Sequence, residues 1–120
     1  MELETYLHNH ILGGLYGLAL GDAWGMAASL RPDQTWAYYQ GWLEQLAPGL
    51  PDHPIHAGLP AGQVTDDTQQ AMALVQTIIS DGQITRAGAA RAILAWYDQI
   101  GGDNSAHGNS DKDDTCNPDS

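Results

Sequence analysis

The sequence predicts an all-α protein, and three observations carry that prediction. Apolar residues recur at helical spacing in four segments, no segment alternates with the period of a strand, and the composition favours Ala, Leu and Gly with no Phe. Small side chains of this kind suit helices that pack closely. At 120 residues the chain is one domain at most, with an apolar content of 42% that supports a modest core.

The first helix is expected over residues 4–28, where Leu7, Ile11, Leu15 and Leu18 fall at helical spacing. Gly13, Gly17, Gly21 and Gly25 recur there every four residues. Glycine costs a helix interior about 1 kcal/mol relative to alanine, so the stripe predicts another backbone lying close along that face. A tight helix–helix contact is enough to explain it. A second, weaker helix is expected over residues 33–46, capped by Asp33 after Pro32, with Trp36, Tyr39 and Trp42 facing a core or an interface. Residues 47–62 hold Pro48, Pro51, Pro54 and Pro60 with Gly49, Gly58 and Gly62, the composition of an ordered, non-helical surface loop. The third helix begins at Thr65 or Asp66 and runs to residue 81, burying Ala71, Met72, Leu74, Val75, Ile78 and Ile79 and ending at Gly82. Thr85 caps a fourth, alanine-rich helix that reaches Tyr97. Residues 101–120 are acidic and almost free of apolar side chains, which predicts loop or disorder. A helical domain over residues 1–100 with an acidic tail follows. The chain reads as truncated, or as one whose tail replaces something larger.

Formal charge is −11, with ten acids against three arginines over residues 1–100 and five acids against one lysine thereafter. This balance excludes phosphate-backbone binding, which needs Lys and Arg to replace condensed counterions, so no nucleic-acid partner is expected. It is compatible with divalent cations. The lone Cys116 forms no internal disulfide, and the first basic residue, Arg31, comes too late for a signal peptide. The apolar run 11–21 is too short to span a bilayer and is stopped by Asp22. A cytoplasmic protein with no membrane partner is expected.

The chemistry centres on Thr65-Asp66-Asp67-Thr68. One reading is a well-capped helix start, in which Thr65 or Asp66 caps, Gln69 completes an Asp-x-x-Gln capping box, and the acids favour the positive end of the dipole. The other reading is that Thr65, Asp66 and Asp67 offer hard oxygen ligands to Mg²⁺ or a similar cation. Two carboxylates and a hydroxyl underfill an octahedral ion, so waters, substrate or further carboxylates must complete its shell. The histidines form no recognisable zinc motif: His8 and His10 diverge on a helix, and His53 and His56 share the proline loop without a thiolate nearby. No nucleophile elbow and no dinucleotide fingerprint are present.

Two motifs then combine. "GGLYGLALGDAWGM" (residues 13–26) resembles the Gly-Asp-Ala-x-Gly opening of the ADP-ribosylglycohydrolase family, and "GLPAGQVTDDTQQAMAL" (residues 58–74) resembles its Thr-Asp-Asp-Thr metal motif. They occur in the family's order, with His53-Pro54 between them and "AILAWY" (residues 92–97) afterwards, so the resemblance covers residues 8–100. It implies orthogonally packed helices and two Mg²⁺ or Mn²⁺ ions. It also implies hydrolysis of the bond joining the anomeric carbon of ADP-ribose to a protein side chain or small acceptor. Carried over, Thr65, Asp66 and Asp67 are metal ligands, with Asp66 and Asp67 catalytic through the metal. Asp22, with Gly17, Gly21 and Gly25, is structural, holding the helices and the site loop together.

The departures from the family pattern matter as much. The family's remaining ligands come from a late Asp-x-Asp-Ser/Thr motif, for which "SDKDDT" (residues 110–115) is no match. Gly108, Asn109 and Ser110 stand where relatives often carry a substrate loop. Ser29 occupies the position of a glutamate implicated in activating or gating the scissile bond. The expected function is therefore that of a truncated metal-dependent ADP-ribose glycohydrolase, with one metal or weak binding. The alternative is a non-catalytic helical module that binds ADP-ribose or a partner protein. Apolar faces left uncovered would favour self-association.

Overall fold

A computed structural model describes residues 2–28 and 30–101. Among them are four helices and no strand: α1 (Glu2–Ala28), α2 (Pro32–Tyr39), α3 (Asp66–Asp81) and α4 (Arg86–Gln99). The all-α prediction holds.

α1 is about 40 Å long at 1.5 Å per residue, and its final turn is where the molecule is assembled. The last four carbonyls of a helix have no partner within it. Here the Met26 carbonyl is bonded by His56 Nδ1 at 2.9 Å, Ala27 by the Tyr39 hydroxyl at 3.3 Å and Ala28 by the Thr35 hydroxyl at 3.3 Å. Trp24 adds an indole N–H to the Leu43 carbonyl at 2.9 Å. Side chains from α2 and the proline loop thus close the end of α1, and Ala23, Met26 and Ala27 are buried beneath them.

α2 is shorter than expected and starts earlier. Arg31 is its N-cap and Pro32 opens the first turn, so Asp33 lies inside the helix rather than capping it. It stops at Tyr39 because Gln40 and Gly41 both take positive φ, 54° and 79°. Gly41 lies against the Trp36 ring, where a Cβ would collide with it. Trp36 and Trp42 are exposed and so take no part in the core, while Tyr39 is half-buried.

α3 and α4 form an antiparallel hairpin. Gly82 ends α3 with a φ of 70°, and the Thr85 hydroxyl caps α4 by accepting the Gly88 amide at 3.0 Å. Trp96 near the end of α4 donates to Gln69 at the start of α3 at 3.0 Å. The expected buried stripe of α3 is corrected: Ala71, Leu74 and Val75 are half-buried, but Met72, Ile78 and Ile79 are exposed, Ile79 at 77%.

The first turns of α1 stand clear of the other elements. Leu3, Leu7, Ile11 and Leu18 are exposed. No atom lies within 4 Å of a Cβ built on Gly13, Gly17, Gly21 or Gly25, so among the described residues no backbone approaches the glycine stripe. The Cα radius of gyration is 18.7 Å, against about 13 Å for a compact domain of 100 residues. No described helix is long and apolar enough to cross a membrane.

Candidate functional site

The site is built where the last turns of α1 meet the head of α3. Thr65 has extended backbone (φ −113°, ψ −160°) and is the N-cap, but its side chain does not cap the helix. It is diverted to α1: the Thr65 hydroxyl donates to Asp22 Oδ1 at 2.5 Å, and its amide donates to Oδ2 at 2.8 Å. Thr68 repeats the pattern, with the hydroxyl at 2.5 Å and the amide at 3.3 Å from Oδ2. Asp22 therefore caps α3 from another helix, replacing the local cap the sequence suggests. The capping box is also absent, since Gln69 Oε1 accepts from Trp96 instead.

Burial alone would raise the Asp22 pKa. The four donors outweigh it and hold the carboxyl below the ordinary range, so it is ionised at neutral pH. Thr65 and Thr68 are both buried, at 5% and 8% exposure.

Beside this clamp lies an open cleft of about 510 Å³, bordered by Gly21, Asp22, Gly25, His56, Thr65 and Asp67. The absent side chains at Gly21 and Gly25 leave its α1 wall low. Asp67 is exposed on the rim, and the half-buried Asp66 meets Gln70 Nε2 at 3.4 Å. The proline loop supplies the remaining wall. Gly49 is fixed by close approach: its amide donates to the Leu59 carbonyl at 2.9 Å, and a Cβ there would overlap the His56 carbonyl. His53 Nδ1 accepts the amides of Ile55 and His56 at 3.1 and 2.9 Å, so it carries no proton. A carbonyl oxygen only accepts, so His56 Nδ1 carries the proton it shares with Met26. The two rings stack with centroids 4.8 Å apart. Burial first, and then the neighbouring His56, push the His53 pKa down against the pull of Asp52.

Asp22, Gly21, Gly25, Thr65 and Asp67 are thus brought together on the cleft, whereas Asp66 does not border it and Gly17 lies a turn away from its wall. Gly108, Asn109, Ser110 and Ser29, with the acids of residues 110–115, lie outside the described residues. Among the described residues no three His, Cys, Asp or Glu side chains are grouped to hold a metal. Sequence reasoning missed Thr68 and His56. Thr68 closes the Thr-Asp-Asp-Thr motif without a local signal for its bond to Asp22, and nothing local to His56 signals a partner on α1, 30 residues away.

The family model described as ADP-ribosylglycohydrolase matches residues 3–117. The chain belongs to the ADP-ribosylglycohydrolase family. Over 87 residues it is 36% identical to the uncharacterized protein YegU of Escherichia coli (strain K12), covering 72% of this chain and 26% of that protein. Over 96 residues it is 34% identical to the ADP-ribosylarginine hydrolase Tri1 of Pseudomonas putida (strain GB-1), covering 80% of this chain and 23% of that protein. The chain thus spans about a quarter of the length of these curated relatives. No solved structure matches it.

Proposed function

We propose that this chain carries the first metal-ligand segment of a metal-dependent hydrolase that cleaves the glycosidic bond between ADP-ribose and an acceptor. The observation that carries the reading is the Asp22 clamp. It joins the Gly-Asp-Ala-x-Gly segment of α1 to the Thr-Asp-Asp-Thr segment of α3 and leaves Thr65 and Asp67 on a common cleft.

The donors fit a hard cation. Thr65 directs its hydroxyl proton into Asp22, so Oγ1 keeps lone pairs for another partner, and Asp66 and Asp67 add carboxylate oxygens. Asp22, which accepts from four donors, is assigned to holding the two segments together and not to ligation. Mg²⁺ or Mn²⁺ held there would supply Lewis-acid polarisation of bound water and stabilisation of leaving-group charge. The chain's own residues fix the oxygens in place, set negative charge on one rim of the cleft, and leave its other side open to a substrate. ADP-ribosylated arginine is the first substrate class to test, because one relative is an ADP-ribosylarginine hydrolase.

A second reading draws on a specific observation. Leu3, Leu7 and Ile11 stand exposed along α1, and a non-catalytic helical module that binds ADP-ribose or a partner protein would cover such a face. Isothermal titration with Mg²⁺ and Mn²⁺ compares the native chain with Asp66→Asn/Asp67→Asn; identical isotherms would remove the metal assignment. Release of free ADP-ribose from ADP-ribosylarginine peptides separates hydrolase from module. Metal binding without turnover at high protein concentration would favour the module.

A further inference from the structure

An ionised carboxylate can only accept hydrogen bonds. Thr65 and Thr68 each have one hydroxyl proton, and both protons are committed to Asp22 at 2.5 Å. The remaining lone pairs of each oxygen must therefore face away from Asp22. For Thr65, which borders the cleft with Asp67, they are available to that space. We infer that Asp22 is the positioning residue of the site: by taking the Thr65 hydroxyl proton it presents Oγ1 to the cleft as an oxygen that only accepts, the form needed to ligate a hard cation. This rests on the metal reading given above.

The contact pattern predicts what an isosteric replacement does. In Asp22→Asn the amide nitrogen can occupy the place of Oδ1, which meets one donor, or of Oδ2, which meets three. The first choice conserves three of the four bonds. The nitrogen then donates to Thr65 Oγ1, and the threonine proton is turned outward toward the cleft. The scaffold is kept while one oxygen changes from acceptor to donor. A carboxylate at residue 22 serves the site through the protonation geometry of Thr65, beyond capping α3.

The experiment uses the full chain and Mn²⁺ alone. Asp22→Asn is expected to retain the native circular dichroism and to lose about tenfold or more in Mn²⁺ affinity. Thr65→Val should lose a similar factor, and Asp22→Asn/Thr65→Val no more than Thr65→Val by itself. Fully additive losses would overturn the inference, because Asp22 would then act on the ion other than through Thr65. A metal-free readout runs alongside: in the native chain the Thr65 and Thr68 hydroxyl protons should exchange slowly enough to be seen by NMR. A Thr65 hydroxyl that exchanges at once overturns the assigned orientation whatever the metal does, and also decides the matter if Asp22→Asn fails to fold. Protected hydroxyls with no Mn²⁺ binding by the native chain would instead remove the metal reading and, with it, the positioning role, leaving only the hydrogen-bond geometry.

Discussion

Replacing His56 by leucine keeps a side chain of similar bulk and removes both of the ring's described roles. The first is the proton that Nδ1 gives to the Met26 carbonyl at 2.9 Å, at a residue only 2% exposed. Depriving a buried acceptor of its donor costs about 1–3 kcal/mol. The second is the stack on His53 at 4.8 Å between centroids, where an aromatic pair contributes about 0.5–1.5 kcal/mol beyond its buried area. Leucine recovers apolar burial only, so the net loss is expected at about 2–4 kcal/mol, a large part of the 5–15 kcal/mol typical of a domain. Urea unfolding followed by circular dichroism measures it. His56→Asn sharpens the test, since its amide lies close to the place of Nδ1 and should regain about 1 kcal/mol. A midpoint for His56→Leu that matches the native chain would refute the reasoning. So would equal losses for leucine and asparagine, because the donor would then contribute nothing.

Two other perturbations follow from the same geometry. Gly17→Ala should stabilise the isolated chain by about 0.5–1 kcal/mol, since helix propensity rises and nothing lies within 4 Å of the added carbon; destabilisation in thermal melts would mean that a second backbone covers that face. Acid should weaken the fold in two stages. The His53 pKa is depressed on folding, so its contribution is complete above the ordinary histidine value of about 6.5 and is lost as pH falls below it, the unfolded chain taking up the proton first. Asp22 is likewise depressed from its ordinary carboxylate value, so its contribution persists until pH falls below about 3.9 and is lost beneath that. Urea midpoints measured from pH 8 to pH 3 would count against this if they rose on acidification.

The helices themselves are largely legible because their signals are local. Gly82 and Thr85 bracket the α3–α4 turn in sequence as they do in space, and both follow from the conformation each residue type allows. α2 misled because Trp42 and Leu46 continue an apolar period beyond Gly41, whose positive φ beside Trp36 stops the helix. At the site, the Thr-Asp-Asp-Thr string specifies a helix start, but its cap comes from Asp22 on another element. Thr65 and Gln69 both leave their expected local partners for side chains 43 and 27 residues away. Hydrogen bonds of that span depend on which surfaces meet, and periodicity does not encode them. The exposure of Met72, Ile78 and Ile79 is a further case, since apolar spacing selects a face of α3 without stating what lies against it.

The Asp22 clamp has a consequence for how this sequence can vary. One carboxylate closes a chain segment of 43 residues as a staple would, and the entropy of closing such a loop grows slowly, by only about 0.6 kcal/mol for each doubling of its length. Away from Thr35, Tyr39, Leu43 and His56, which bond the end of α1, exposed positions between the two anchoring motifs can therefore take insertions at small thermodynamic expense while the oxygens at the head of α3 keep their positions. Length and chemistry are uncoupled there, so recognition can be rebuilt in the intervening loop without redesigning the anchor beneath it.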